Sequence, residues 1–158
     1  MGKIKTRIVS SAPLEKLYEM GHDVMSFPEV FPNLKKIQAL EKSDDGKFVK
    51  AEWTAGAKLI TQTHYMTWVQ EDRWDDAKKC CNFTCAPDGR GNFKYLKGTW
   101  HFKPHGKGSE MIMEVDYEIE HPLMNPLIGR IIDGIMKKNN ESLLNGLKKK
   151  AEKSECQG

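Results

Sequence analysis

The side chains in this sequence that could move a proton, bind a metal or attack a carbon are a few histidines, tyrosines and cysteines, and their spacing narrows the chemistry. Cys80, Cys81 and Cys85 fall in one extended stretch, with Cys156 near the C-terminus. A strand rises about 3.3 Å per residue, so Cys81 and Cys85 would stand roughly 13 Å apart on one face, too far to share a metal or form a disulfide. Cys80 and Cys81 point to opposite faces. Small buried thiols, kept reduced in a cytoplasmic setting, are the expectation. His64 shares a strand face with Met66 and Trp68, which makes it the best inward candidate for proton transfer, although a lone histidine on a mixed strand also serves structure alone. Tyr65 and Tyr117 are candidate proton donors, and His64 with Tyr117 is the catalytic expectation. His101, His105 and His121 fall on outer faces or in turns. No nucleophile stands beside a base, and no metal-ligand spacing occurs. Asp88-Gly89-Arg90-Gly91 is followed by a strand rather than a helix, so it reads as a hairpin turn, not a phosphate loop. No metal and no cofactor are expected.

The elements that must position these groups are a sheet and one long helix. Lys3 to Ser10 alternates, with Ile4, Thr6 and Ile8 opposite Lys3, Lys5 and Arg7, as a half-buried strand does. Ser11-Ala12-Pro13 then opens a short helix through Leu14, Leu17, Tyr18 and Met20, with Ser11 as its expected cap. The two prolines of Phe27-Pro28-Glu29-Val30-Phe31-Pro32 allow a single helical turn between them. Period two then predicts strands over about 34–43, 46–55, 58–71, 74–86, 92–104 and 108–120. Asp44-Asp45-Gly46, Ala55-Gly56, Asp72-Arg73, Pro87-Asp88-Gly89 and Pro104-His105-Gly106 are the expected turns. The last strand sends Met111, Met113, Val115, Tyr117 and Ile119 one way and Glu110, Glu114, Asp116, Glu118 and Glu120 the other. That acidic row can lie beside the outer Lys97 and Lys103 of the strand before it.

Pro122 to Ala151 reads as the helix, started by Asn125-Pro126. Its apolar stripe of Leu127, Ile128, Ile131, Ile132, Ile135, Met136, Leu143, Leu144 and Leu147 is interrupted at Lys137-Lys138-Asn139-Asn140. Arg130, Asp133, Lys137, Glu141 and Lys148 fall on the other face. Gly129, Gly134 and Gly146 each weaken a helix interior by roughly 1 kcal/mol relative to alanine. They serve either close packing or a space under the first half of the helix, and the sequence leaves both open.

With 158 residues, one domain is expected over 1–153, with 154–158 as a frayed tail. A net charge of +3 is too small to argue for DNA, and Lys148-Lys149-Lys150 suits a helix C-terminus. No apolar run approaches the ~20 residues of a membrane span, so no stable membrane insertion is expected. The N-terminus lacks an apolar signal segment, which favours a cytoplasmic protein. A homodimer stays open.

Ser11-Ala12-Pro13-Leu14-Glu15-Lys16-Leu17, His22-Asp23-Val24 with Phe27 to Pro32, Gly98-Thr99-Trp100-His101-Phe102, and Asn140-Glu141-Ser142-Leu143-Leu144 with Leu147-Lys148 carry a resemblance over about residues 3–151. The chain resembles the START-like, helix-grip SRPBCC superfamily, and within it the polyketide cyclase/dehydrase and coenzyme Q-binding group. The resemblance implies an α+β helix-grip fold, a curved seven-stranded antiparallel sheet around a long C-terminal helix. It also implies a hydrophobic tunnel for a lipid, quinone or polyketide-like molecule. Phe27 and Phe31 would stand at the mouth. Trp53, Met66, Trp68, Phe83, Trp100, Met113 and Tyr117 would line the sheet side, and Leu127, Ile128, Ile131 and Ile135 would close it from the helix. The superfamily spreads from ligand carriers to cyclases and a ribosome-associating toxin, so a hydrophobic binding protein, a cyclase or aromatase, and a ribosome-associating protein are the functions implied. Aromatase members carry an arginine about four residues after the tryptophan matching Trp68. Here that position is Asp72, read as part of a turn, a departure from the aromatase pattern.

Overall fold

The alternation of the last two strands is what the backbone adopts. In the computed structural model, which describes residues 2–59, 62–120 and 126–157, β6 (Phe93–His105) pairs antiparallel with β7 (Gly108–Ile119), setting Lys97 opposite Asp116 and Lys103 opposite Glu110. On the other side of β7 lies β1 (Gly2–Ser10), whose outer Lys3, Lys5 and Arg7 pair with Asp116, Glu114 and Glu110. The acidic row thus lies between two basic rows. Each exposed pair is worth less than about 1 kcal/mol, so the row sets register more than stability.

Between β1 and the rest of the sheet come α1 (Leu14–His22), a single 3₁₀ turn (Val24–Ser26) and α2 (Phe27–Val30). Then follow β2 (Leu34–Lys42), β3 (Phe48–Leu59), β4 (Gln62–Asp75) and β5 (Cys80–Cys85), and α3 (Pro126–Gln157) follows β7. The seven strands form one antiparallel sheet in the order β1-β7-β6-β5-β4-β3-β2, and α3 packs on β1, α1 and α2. This is the helix-grip arrangement expected.

Three local expectations are corrected. Ser11 does not cap α1: Pro13 holds that position without a side-chain bond, and the local hydroxyl in use is Ser10 Oγ, which accepts from the Ala12 N–H at 3.1 Å. Ala55-Gly56 is not a turn, because β3 runs on to Leu59 with Gly56 opposite Tyr65; the linking residues 60–61 lie outside the described residues. Asp72-Arg73 is not a turn either. Both pair with β3, at Val49 and Phe48, and the chain reverses instead over 76–79, where Lys79 adopts φ 52°. The strand expected over 74–86 therefore divides, its first two residues joining β4. At the C-terminus the helix backbone continues through the expected tail to Gln157. Residues 122–125 of the expected helix lie outside the described residues.

The long helix has two zones. Leu143, Leu144, Leu147 and Ala151 are buried, whereas Ile128, Ile132, Ile135 and Met136 are half-buried and Leu127 is 67% exposed. The glycines follow the same division. A Cβ on Gly146 would lie 2.1 Å from the Val30 carbonyl oxygen of α2, while one on Gly129 or Gly134 would meet nothing within 4 Å. Gly146 thus serves close packing and the other two do not. Gly146→Ala should destabilise the protein by about 1–3 kcal/mol through forced backbone movement. Gly134→Ala should stabilise it by roughly 1 kcal/mol through helix propensity. Urea unfolding of the two variants checks the contrast, and equal signs would contradict it.

Candidate functional site

Where the first zone of α3 passes over the sheet, the two meet only in part, as at the Tyr117 hydroxyl and Asp133. A cavity of about 740 Å³ lies between them. Its size follows from the residue pattern: the sheet curls around one helix, and the residues that could fill the gap from above, Ile128, Ile131, Ile132 and Ile135, border it without closing it. The sheet side is aromatic. Trp53 stacks on Trp68 with centroids 5.9 Å apart, Phe93 meets Trp68 edge-on at 5.5 Å, and Phe27 bridges Trp53 and Trp100 at 5.8 and 6.1 Å. The indole N–H groups of Trp53, Trp74 and Trp100 are buried without partners among the described residues, so these three rings present ring surface to the cavity. The donors on its lining are side chains such as Asn92, Asn139 and Asn140, the last with a buried amide nitrogen that also has no partner among the described residues.

Most of the expected lining residues border this space: Phe27, Phe31, Trp53, Met66, Trp68 and Phe83, then Trp100, Met113, Ile128, Ile131 and Ile135. Their positions differ from expectation in places. Phe27 and Phe31 are 1% and 5% exposed and belong to the wall. The open end is marked by the exposed lining residues His64, Tyr65, Asn92 and Ile131. Leu127 is not among the lining residues; it faces solvent. Tyr117 is buried but also lies outside the lining set, because its hydroxyl donates to Asp133 and is engaged in holding α3 to the sheet. Tyr65 reaches the rim, its ring 4.5 Å from the Lys35 ammonium. His64 and Tyr117, the pair expected to move protons, are therefore not brought together as a reacting pair in the cavity.

The residue that the sequence reading missed is Asp72. On the inner face of β4, Met66, Trp68, Gln70, Asp72 and Trp74 follow one another at every second position, and all five border the cavity. The Trp68 indole donates to Gln70 Oε1 at 3.1 Å, and Gln70 Nε2 donates to Asp72 Oδ1 at 2.9 Å. Because an indole can only donate, the Gln70 amide has one consistent orientation, with its NH₂ toward the carboxylate. Asp72 is 3% exposed. Burial pushes its carboxyl up to about 6, opposed by the Gln70 hydrogen bond. The signal that could have found it was the alternation itself: carried on to Trp74, it puts Asp72 in phase with Trp68. His64 and Asp72 lie eight positions apart on one strand, on the order of 25 Å, and cannot act as one acid–base pair.

Cys81, on β5, also borders the cavity. Burial first, and then the charge of Asp72, hold its thiol far above the ordinary range, so it is a neutral apolar lining group and not a nucleophile. Burial pushes the Cys85 thiol up to about 12.

The family model described as polyketide cyclase/dehydrase and lipid transport matches residues 10–144. A curated relative, the ribosome association toxin RatA of Rickettsia prowazekii, is 25% identical over 124 residues, 78% of this chain and 80% of that one. Among solved structures, TTHA0849 from Thermus thermophilus is 24% identical with a TM-score of 0.84, covering 97% of this chain and 99% of that one. The Zhui aromatase/cyclase of a Streptomyces species is 14% identical with a TM-score of 0.82, covering 96% and 93%. At these identities the two structures speak for the fold alone.

Proposed function

The chain belongs to the polyketide cyclase/dehydrase and lipid transport family, and we propose that it is a cytoplasmic binding protein for a hydrophobic small molecule, of lipid, quinone or polyketide-like character, held between the sheet and α3. The observation that carries this reading is the cavity of about 740 Å³ walled by aromatic and aliphatic side chains. That volume falls in the range of roughly 300–1,000 Å³ in which pockets enclose drug-sized ligands. Protein purified without detergent and extracted into organic solvent should release an apolar compound detectable by mass spectrometry. Stripped protein should take up the dye ANS, with a change in tryptophan emission, since Trp53, Trp68, Trp74 and Trp100 all border the cavity. A protein that neither carries a compound nor takes up dye does not have the proposed function.

Cyclisation in the same cavity is the alternative on the same fold. It needs a buried group to take a proton from an acidic carbon, and the chemistry of Asp72, a carboxyl titrating near neutrality in an apolar site, suits that task better than the exposed His64. A separate reading, association with ribosomes, is supported by the relative of that name and by the exposed Lys149 and Lys153 near the end of α3. Failure to co-sediment with ribosomes at low salt dismisses it.

A further inference from the structure

Among the described residues, Asp72 is the only carboxyl group bordering the cavity, and no lysine or arginine borders it. The adjacent cation points elsewhere: the Arg73 guanidinium stands 5.1 Å over the Phe48 ring and 3.9 Å from Glu71. The surroundings of Asp72 are Val49 and Phe83 across the two strand pairings, with Trp74 and Cys81 beside it. A carboxylate in such a setting is poorly compensated by one amide, because an ionised carboxylate offers several acceptor sites and, among the described residues, only the Gln70 side chain donates to it. The order Trp68 to Gln70 to Asp72 also has a direction. Each member donates to the next, so the array terminates inside the cavity wall as an acceptor.

We propose that this inner part of β4 recognises a hydrogen-bond donor, and that the preferred guest is an apolar molecule whose buried end carries an amine or a hydroxyl held by Asp72. The inference rests on the cavity being a binding site, as argued above, and names the class of ligand it takes. It also names a class it refuses. A fatty acid entering head-first would set a second carboxylate against Asp72 with no cation between them, and like charges at short range in a poorly solvated site repel strongly. The apolar walls accept any flat or flexible chain, so the discrimination lies in the head group.

The test compares three probes with the same saturated chain: dodecylamine, 1-dodecanol and dodecanoate. Each is titrated below its micelle concentration at pH 7.5 against ANS bound to the full-length protein. The amine and the alcohol should displace the dye at least about tenfold more effectively than the acid, a difference of the size expected when a buried charged acceptor gains or lacks its donor. The amine and the alcohol separate charge pairing from simple hydrogen bonding. The protein's overall charge of +3 attracts the acid non-specifically, so it cannot produce this ranking. In Asp72→Asn the gap between amine and acid should close to within about threefold, because the neutral amide both donates and accepts. Dodecanoate binding as well as dodecylamine to the unaltered protein overturns the inference, and that arm depends on no variant. A ranking unchanged by Asp72→Asn overturns it as well. If none of the probes displaces the dye, the binding function fails and the inference falls with it. If all bind equally, only the inference fails.

Discussion

Leu144→Ala should cost the fold about 2–5 kcal/mol, while Ile131→Ala, on the same helix, should cost less than about 1 kcal/mol and appear in ligand uptake instead. The difference is where each side chain sits. Leu144 is fully buried, in the zone of α3 that also buries Leu143, Leu147 and Ala151 and whose Gly146 lies against Val30 of α2. Deleting three carbons there removes transfer energy and leaves a void that close-packed neighbours cannot refill. Ile131 is 38% exposed and borders empty space. Its truncation enlarges a hollow that already exists, so only a part of the transfer term is lost. Paired urea unfolding curves and dye-uptake titrations on the two variants measure both effects. Equal destabilisation would mean that α3 is packed along its whole length and that no hollow separates it from the sheet.

The parts of this molecule that were legible in the sequence are those where one face is greasy and the other charged. Met111 to Ile119 against Glu110 to Glu120 could be read as a strand, with its register against Lys97 and Lys103, because a slip of one residue would reverse every side chain. The resemblance carried by Gly98 to Phe102 and by the helix residues supplied the helix-grip arrangement, which alternation alone could not. What failed was the sheet surface under the cavity. Gly56 and Asp72 lie within strands, yet local chemistry reads glycine and aspartate as turn residues, since their cost inside a packed strand is high. Around a cavity that cost is altered, because a polar side chain there need not fit against a packed neighbour. The same error hid the inward carboxyl and left His64, in phase but at the open end, as the apparent candidate. Tyr117 and Leu127 were misplaced for another reason. Period alone gives the side of an element, not whether a partner such as Asp133 engages the side chain or whether the facing element has moved away.

Asp72→Asn should make the protein more stable at pH 7.5 by up to about 3 kcal/mol, with the gain fading towards zero near pH 4. The carboxyl's value in the folded state is about 6, raised from 3.8 by burial. A raised value means that the folded state holds the proton more tightly than the unfolded chain does. Its contribution to stability is therefore fully present below about pH 4 and is lost as pH rises through about 6, where folding must bury a charge. Asparagine keeps the acceptor that Gln70 Nε2 uses but carries no charge, so the variant escapes the loss. Cys81, the titratable neighbour facing Asp72 from β5, keeps its proton throughout this range, and groups common to both proteins cancel in the comparison. Urea unfolding of both proteins at several values between pH 4 and pH 8 measures the gap. A variant less stable than its parent at pH 7.5, or a gap that does not change with pH, would show that Asp72 is not a poorly compensated buried acid. A charge held at that cost in a wall that, among the described residues, holds no lysine or arginine to offset it is the kind of local conflict that proteins retain where a ligand resolves it. Bound dodecylamine should therefore raise the unfolding temperature of the unaltered protein more than that of the asparagine variant, and more at pH 7.5 than at pH 5.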